Sequence, residues 1–305
     1  MSAPTEPNDS LAVLGGAGFL GARVVRRALC EGARSVASLS RDPGRFPRLE
    51  DLRLRRVVAD ALREGELERA LVELAPARIV LCTALASGAD CDAYPQLARA
   101  LNVELPRRVG RVALELGARL VHVSTDLVFG AVPPGSEGFA EQDRPGPLGL
   151  YGETKAAGEE ALLEVNPGAL VCRLPLLFGD SEGRGLGASD SLRAACQRGE
   201  RPALFTDEWR TPLDVDDAAA ALLELTWLEV AGRLHVAGPA RLTRYELGRL
   251  VLGEERLQRE VRVATRAELG LAASRAEDTA LDASRARELL ASVLRAPDQA
   301  LAGRA

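Results

Sequence analysis

Lysine is almost absent from this chain of 305 residues. Lys155 is the only lysine among its 39 lysine and arginine residues. An ammonium group is compact and its pKa shifts readily, whereas a guanidinium stays charged, so the two groups are not interchangeable in chemistry. A position that keeps lysine while every other basic position carries arginine is therefore a candidate for a chemical role.

Histidine is also scarce, since His122 and His235 are the only two. Both alternate with apolar residues, as in a β-strand, and neither has a second metal-ligand residue close in sequence. We expect structural histidines with hydrogen-bond partners, so the proton donor of any catalysis must be another residue type. The five cysteines form no C-x-x-C pair, which favours reduced thiols over disulfides or a zinc site.

Long apolar runs and an excess of positive charge are lacking as well. No segment approaches the roughly 20 apolar residues that cross a bilayer, and the first ten residues do not resemble a secretory signal. The net charge of −5 excludes a global field that would attract nucleic acid or an anionic membrane. We therefore expect a cytoplasmic protein with a flexible leader over 1–10 and a small-molecule substrate.

Short apolar segments alternate with helical spacing through the first half of the chain. This pattern predicts an α/β fold with a doubly wound parallel sheet, the Rossmann fold. Predicted strands cover 11–14, 35–39, 54–58, 78–82, 119–124 and 169–174, and a long helix is predicted over 95–116. We expect a cofactor-binding domain over 11–172 and a smaller α/β substrate lobe over 173–305, interleaved with the last sheet elements at about 206–237.

A glycine-rich turn separates the first predicted strand from the first helix. Gly15, Gly18 and Gly21 have the spacing G-x-x-G-x-x-G, which allows a tight turn and lets backbone amides approach a pyrophosphate at the helix N-terminus. The strand before the turn and the helix after it are the context that this motif requires. The sequence therefore predicts a dinucleotide site.

The tip of the second predicted strand bears on the choice of dinucleotide. Ser40 and Arg41 stand where an NAD-binding protein carries an acidic residue for the ribose hydroxyls. A guanidinium can grip a 2′-phosphate through two hydrogen bonds, which favours NADP(H). Asp42 follows directly and can reach a ribose, so NAD(H) stays open.

Tyr151 and Lys155 are four residues apart on a predicted helix, so their side chains share one face. A neighbouring ammonium would stabilise the phenolate and make Tyr151 a useful acid and base near neutral pH. Thr125, at the end of the fifth predicted strand, offers a hydroxyl to a substrate carbonyl. Together these residues predict reduction of a ketone, with Tyr151 as the proton donor.

The sequence resembles the extended short-chain dehydrogenases/reductases and, among them, the dTDP-4-dehydrorhamnose reductase family of nucleotide-sugar reductases. The resemblance extends over most of the chain. Its motifs are GGAGFLG at 15–21, LNVELP around Asn102, HVSTDLVFG at 122–130, EQDRPGPLGLYGETKAAGEEAL at 141–162, RLPLLFGD at 173–180, WRTPLDVDDAA at 209–219 and LHVAGPARLTRYELGRLV at 234–251.

The resemblance implies hydride transfer to a sugar C4 ketone, with Thr125, Tyr151 and Lys155 as the catalytic triad. It also places Asp60 by the adenine, Asn102 in the active-site hydrogen-bond network, and Arg173 and Arg210 towards the substrate. The full set predicted at the cofactor is Gly15, Gly18, Phe19, Leu20, Gly21, Ser40, Arg41, Asp60, Ala61, Thr83, Ala84, Asn102, Tyr151, Lys155 and Pro175. The set predicted at the substrate is Ser87, Asp126, Arg173 and Arg210. No metal site is predicted, and a homodimer stays open.

The sequence departs from the family pattern after the fourth predicted strand. Family members usually carry an Asn-Ala-Ala type run there, whereas this chain has Leu81, Cys82, Thr83 and Ala84, followed by SGADCDAY. Two alternatives to a nucleotide-sugar reductase therefore stay open. One is a tailoring reductase of a natural-product ketone or iminium. The other is a nonenzymatic NADP-binding regulatory subunit like the methionine adenosyltransferase beta subunit.

Overall fold

Residues 9–46 and 48–303 are described by the computed structural model, which contains a parallel sheet as the sequence predicts. Residues 1–8 of the predicted leader over 1–10 lie outside the described residues, and the first strand begins at Ser10. The strands are β1 (Ser10–Leu14), β2 (Ser35–Ser40), β3 (Leu54–Val58), β4 (Arg78–Leu81), β5 (Arg119–Thr125), β6 (Leu170–Leu174), β7 (Leu177–Phe178), β8 (Ala203–Phe205), β9 (Trp209–Arg210), β10 (Leu213–Asp214), β11 (Gly232–His235), β12 (Leu242–Thr243) and β13 (Arg262–Ala264).

Helices follow most of these strands. None of those described is both long enough and apolar enough to span a membrane. The helices are α1 (Phe19–Cys30), α2 (Glu66–Leu74), α3 (Gly88–Ala93), α4 (Pro95–Arg99), α5 (Leu105–Leu116), α6 (Leu150–Val165), α7 (Gly187–Gln197), α8 (Val215–Leu225), α9 (Arg244–Leu252), α10 (Glu254–Glu260), α11 (Ser284–Leu289) and α12 (Pro297–Ala302).

Seven strands form the central sheet, in the order β11-β6-β5-β4-β1-β2-β3, and every neighbouring pair is parallel. Both faces are buried because alternate residues of each strand point to opposite sides. Leu11 and Val13 of β1 pack with α1 and α8 on one face, while Ala12 and Leu14 pack with α2, α5 and α6 on the other. The predicted doubly wound α/β fold is confirmed.

The helix predicted over 95–116 is continuous but irregular. A π-helical turn over 100–104 separates α4 from α5. Pro106 has no backbone N–H, so it cannot donate to the carbonyl of Asn102 four residues earlier. That carbonyl lies so close to α6 that a side-chain carbon on Gly158 would be only 1.9 Å from it. The irregular turn therefore lies where the two helices approach most closely.

The C-terminal half contributes both to the sheet and to a separate core. Strand β11 pairs with β6 at the sheet edge, and α8 packs against α1. A third apolar cluster gathers α7, α9, α10 and β8 around Phe178 and Leu247. A capping box begins α9, since the Thr243 hydroxyl accepts from the backbone N–H of Glu246 at 3.1 Å and the Glu246 carboxylate accepts from the backbone N–H of Thr243. The division into domains at residue 172 stays a prediction.

A buried ion pair fastens α6 to the sheet. Glu159 on α6 and Arg173 on β6 are both fully buried, with Nη2 and Oε2 2.7 Å apart. Burial alone would raise the pKa of Glu159, but hydrogen bonds and charge from Arg173, with further bonds from Ser124 and Arg233, hold this pKa below its ordinary value. The carboxylate is therefore charged in the folded protein and saturated with donors.

Removing one member of this pair should be costly. We expect Glu159→Leu to lower the free energy of unfolding by about 3–5 kcal/mol, because Arg173 would be left as an uncompensated buried charge, and the double variant Glu159→Leu/Arg173→Met to recover much of the loss. Denaturant unfolding measures both. Glu73→Leu is the matched control, since its ion pair with Arg55 is exposed and should matter little.

The same experiment has a defined pH dependence. The pKa of Glu159 is lower in the folded than in the unfolded chain, so its contribution is complete above the unfolded value of about 4.3 and is lost as the pH falls below it. The gap between wild type and Glu159→Leu should therefore narrow in acid. A gap that is the same at pH 7 and pH 3 would contradict the assignment.

Candidate active site

The glycine turn between β1 and α1 is shaped for close approach. Gly15 has a φ of +81°, and a side-chain carbon there would lie 3.0 Å from the backbone nitrogen of Thr83. At Gly21 such a carbon would be 2.2 Å from the carbonyl oxygen of Gly15. Gly18 is the N-cap residue of α1 and has no side chain to cap it, so no capping side chain occupies the positive end of the helix dipole. The turn therefore suits a pyrophosphate.

A cavity of about 260 Å³ opens beside this turn, at the carboxyl ends of β1, β2, β3 and β4. Its position at this edge of the sheet suits an adenosine. Eight of the residues predicted at the cofactor line it: Gly15, Gly18, Ser40, Arg41, Asp60, Ala61, Thr83 and Ala84. The sequence reasoning missed its apolar wall, to which Leu39, Leu62, Leu97 and Leu101 contribute and which no motif marks.

Other residues predicted at the cofactor lie outside this cavity. Phe19 packs against Gly187, and Leu20 is part of the apolar core. Pro175 is buried directly after β6. Asn102 is fully buried and holds the backbone of Leu85 through both amide atoms, at 2.9 and 3.1 Å. Leu20 therefore has a packing role in the core.

Asn102 also clarifies the predicted active-site network. Its amide nitrogen donates to Thr154 on α6 at 3.1 Å, so it ties the segment after β4 to the catalytic helix. The structure shows no hydrogen bond from Asn102 to Tyr151 or Lys155. Its support of those residues is therefore indirect, through the position of α6.

A second cavity of about 650 Å³ lies on the other side of Gly18. Five arginines and one carboxylate, Glu182, line it, so an anionic group is favoured there. The guanidinium of Arg184 donates hydrogen bonds to the backbone carbonyls of Ser181 and Ala17. Apart from Arg184, the arginines are Arg23, Arg26, Arg45 and Arg48. The sequence reasoning did not find this cluster because its members come from three separate segments.

Tyr151 and Thr125 come together at the carboxyl end of β5. Burial raises the pKa of the Tyr151 phenol, the hydroxyl of Thr125 in hydrogen-bonding contact lowers it, and the charges of Asp126 and Cys91 raise it again. The net effect is a raised pKa. The phenol is therefore protonated at neutral pH, as an ordinary tyrosine also is, and the raised pKa makes it a weaker acid.

Lys155 also faces β5, so Tyr151 and Lys155 share one face of α6 as their spacing predicts. Its ammonium donates to the carbonyl of Val123 at 2.8 Å and lies 3.2 Å from Nε2 of His122. Burial lowers the pKa of Lys155 to about 8, against the opposing charges of Glu159 and Cys82.

The tuning of Tyr151 by Lys155 stays a prediction, because Lys155 is not among the described groups that act on the pKa of the phenol. The groups that act on the phenol are Thr125, Asp126 and Cys91, and the ammonium is turned towards His122 and the Val123 carbonyl instead. The ammonium thus has two neutral acceptors, both on β5, for its three N–H groups. His122 is a buried strand histidine with a hydrogen-bond partner, as expected, and that partner is the chain's one lysine.

Asp126 and Arg210 are brought together beside the triad. Nε of Arg210 and Oδ2 of Asp126 are 3.5 Å apart, and both side chains are buried. Thr279 donates to the same carboxylate at 2.7 Å. Burial raises the pKa of Asp126, and Arg210 and the hydroxyls of Thr279 and Thr125 oppose that rise. Two distant parts of the C-terminal half are thus fixed to the end of β5.

Two residues predicted at the substrate lie elsewhere. Arg173 is fully buried in its pair with Glu159 and does not reach the cleft, because a neighbouring carboxylate satisfies its charge inside the core. Ser87 is exposed and caps α3, where its hydroxyl accepts from the backbone of Asp90 at 3.2 Å. The segment after Ser87 instead contributes Cys91, whose charge acts on the pKa of Tyr151.

A cluster of three guanidiniums lies next to Asp126. Arg210 and Arg275 both pair with Glu208, at 3.1 and 2.8 Å. Arg244 is close enough for the charges of Glu208 and Asp126 to act on it, yet within the described part of the chain its guanidinium has no hydrogen bond or ion pair. Burial and the charges of Arg210 and Arg275 lower its pKa. This cation is free to bind an anion.

Comparison with known proteins assigns this chain to a family. Residues 9–303 match the family described as RmlD substrate binding domain. The chain belongs to this family. It is 33% identical over 250 residues to methionine adenosyltransferase 2 subunit beta of Xenopus laevis, with 80% of this chain and 71% of that protein covered. It is 29% identical over 255 residues to the dTDP-4-dehydrorhamnose reductase of Mycobacterium tuberculosis, with 81% and 76% covered.

Solved structures of the RmlD family share the fold. The dTDP-4-dehydrorhamnose reductase of Bacillus anthracis, solved in complex with NADP, superposes with a TM-score of 0.78 at 20% identity and covers 97% of this chain and 98% of its own. The predicted resemblance to this reductase family is thereby confirmed. The residue roles stay predictions.

The position of Tyr151 depends on a glycine next to it. A side-chain carbon on Gly152 would lie 2.1 Å from the carbonyl oxygen of Leu127 and 2.8 Å from Pro147. Alanine normally stabilises a helix relative to glycine, but here we expect Gly152→Ala to destabilise the protein by about 1–3 kcal/mol through overpacking. Thermal unfolding and hydrogen exchange over 149–155 measure the effect.

Gly149 provides the matched control for this prediction. It lies three residues earlier and has extended backbone with a φ of −172°, and nothing lies within 4 Å of the position that a side-chain carbon would take. Gly149→Ala should therefore leave stability and exchange nearly unchanged. If the two variants behaved alike, the contact between α6 and the segment after β5 would not constrain Tyr151.

Proposed function

We propose that this protein is an NADP(H)-dependent reductase of a ketone, most specifically the C4 ketone of a nucleotide-linked 4-keto-6-deoxy sugar. The observation that carries the proposal is the convergence of Thr125, Tyr151 and Lys155 at the carboxyl end of β5, whose neighbour β4 ends at the glycine-turn cavity. Membership of the RmlD family and the dTDP-4-dehydrorhamnose reductase of M. tuberculosis support it.

The cofactor proposal rests on the shape and charge of the cavity. Gly15 and Gly18 leave room for a pyrophosphate, and Asp60 and Ala61 lie where an adenosine would end. Ser40 and Arg41 line the same cavity and suit a 2′-phosphate. The B. anthracis relative was solved with NADP, which agrees with this choice, and NAD(H) stays open because Asp42 is adjacent.

The chemistry divides between the cofactor and the chain. A bound reduced nicotinamide supplies hydride to the carbonyl carbon. Tyr151, which is protonated at neutral pH, donates its phenolic proton to the carbonyl oxygen, and Thr125 stabilises the charge that develops there. Lys155 supplies a positive charge beneath the cleft, and its pKa of about 8 keeps it mostly charged at pH 7.

The free guanidinium of Arg244 favours an anionic substrate over a neutral one. Arg210 and Arg275 are partly neutralised by Glu208, whereas Arg244 keeps an unused charge beside Asp126 and therefore beside the triad. The diphosphate of a nucleotide sugar is the anion that this position suits. A tailoring reductase that acts on an uncharged ketone or on a cationic iminium would have no use for the positive charge of Arg244.

The regulatory alternative has one observation in its favour. The X. laevis relative is a subunit of methionine adenosyltransferase, and it is more similar to this chain than the M. tuberculosis reductase is. Co-purification with a stoichiometric enzyme partner, together with no turnover by the isolated chain, would favour this second function.

A substrate panel tests the main proposal. We expect consumption of NADPH, faster than of NADH, with dTDP-4-dehydrorhamnose, and little with uncharged ketones. Tyr151→Phe should lower kcat by about 10²- to 10⁴-fold because the proton donor is removed, while binding of NADPH stays intact. Absorbance at 340 nm and direct cofactor titration measure the two effects. Silence of the wild-type protein with every keto-sugar nucleotide would count against the proposal.

The role of Arg244 is tested separately. Arg244→Ala should raise KM for the nucleotide sugar about 10- to 100-fold, because a charge-assisted hydrogen bond to phosphate is lost, with a smaller change in kcat. Arg249→Ala, on the exposed face of the same helix, is the control. Equal kinetics of the two variants would exclude a phosphate contact at Arg244.

A further inference from the structure

The contact between His122 and Lys155 goes beyond the roles assigned so far. His122 lies on β5 and is fully buried, and Lys155 on α6 is almost fully buried. Nζ of Lys155 is 3.2 Å from Nε2 of His122 and 2.8 Å from the carbonyl oxygen of Val123. An ammonium has three N–H donors. These two contacts use two of them and leave one for a bound ligand.

The chemistry of the pair defines the state of the imidazole. A charged ammonium only donates, so Nε2 of His122 must accept and the ring proton must be on Nδ1. Burial lowers the pKa of His122 well below its ordinary value, the charge of Lys155 lowers it further, and the backbone carbonyl of Leu81 opposes them. The imidazole is therefore neutral over the physiological pH range and acts as a fixed acceptor.

No carboxylate replaces this acceptor. Glu159, one turn further along α6, acts on Lys155 through its charge, but its oxygens are bonded to Arg173, Arg233 and Ser124. Cys82, at the end of β4, also acts through charge, and burial raises the pKa of its thiol to about 12. The buried ammonium thus depends on one imidazole and one backbone carbonyl for its hydrogen bonds among the residues that the structure describes.

We propose that His122 is a positioning residue for Lys155, whose neutral imidazole and the Val123 carbonyl together aim the remaining N–H of the ammonium at the ligand cleft. The proposal rests on the function proposed above for the role of Lys155 in catalysis. The contact itself is a property of the folded chain and can be tested without a substrate.

The single lysine makes a direct measurement feasible. In the full-length protein labelled with ¹³C,¹⁵N-lysine, Lys155 is the only lysine signal, and its titration should have a midpoint near the expected pKa of about 8. His122→Leu should lower that midpoint by about one pH unit, because a hydrogen bond to the charged form is lost. His122→Gln should restore most of it, since its side-chain carbonyl can occupy the position of Nε2.

Two further variants separate positioning from a general effect on the fold. His122→Asn carries a carbonyl that falls short of the Nε2 position, so its midpoint should resemble that of His122→Leu. His235→Leu removes the other buried histidine, which contacts Arg173 and the carbonyl of Phe139 instead, and should leave the midpoint of Lys155 unchanged. Thermal unfolding identifies variants that are folded and can be compared.

Activity provides the second measurement. In the wild-type enzyme the alkaline limb of kcat/KM should follow the titration of Lys155, and His122→Leu should move it about one pH unit lower, with rescue by His122→Gln. A lysine midpoint that is the same in wild type, His122→Leu and His122→Gln would overturn the proposal, whether or not a ketone is reduced. A shifted midpoint in a protein that reduces no ketone would support the contact and reject the proposed function.

Discussion

The site depends on how one face of α6 is held against β5 and β6. Tyr151, Lys155 and Glu159 follow one another at intervals of four residues and therefore form a stripe along the helix. Each side chain contacts the sheet in a different way. The Tyr151 phenol contacts Thr125, and the Lys155 ammonium contacts Val123 and His122. The Glu159 carboxylate contacts Ser124 and Arg173. A shift of the helix along the sheet would break all three contacts together.

Close packing makes this arrangement rigid. Gly152 and Gly158 allow backbone atoms of Leu127 and Asn102 to lie within the space of a side-chain carbon. The buried carboxylate of Glu159 then fixes the register, because its donors come from three different segments. The buried ion pair therefore specifies the position of α6 on the sheet, which is a more important contribution here than any net gain in stability.

Local patterns were sufficient to predict the fold and part of the site. Alternating apolar segments predicted the first six strands, β1 to β6, to within one or two residues at each end. The glycine spacing predicted the turn that lines the cavity. The family resemblance assigned Arg173 to the substrate side, and nothing in its own neighbourhood reveals its carboxylate partner 14 residues away on another element. The pairing of His122 with Lys155 across 33 residues was missed for the same reason. Pro106 was the one local signal for the irregular helical turn.

Asp126 links the catalytic end of β5 to the C-terminal half. Its carboxylate accepts a hydrogen bond from Thr279 and pairs with Arg210. The guanidinium of Arg210 also contacts Glu208 within the arginine cluster. A substrate anion that engages Arg244 would enter the same charge network, because Asp126 and Glu208 act on both arginines. Binding of the distal part of a substrate would then bear directly on the environment of Tyr151, since Asp126 also influences that phenol. The strand that ends in Thr125 is thus connected, through the buried carboxylate of Asp126, with the arginine cluster that we propose as the anion-binding part of the substrate site.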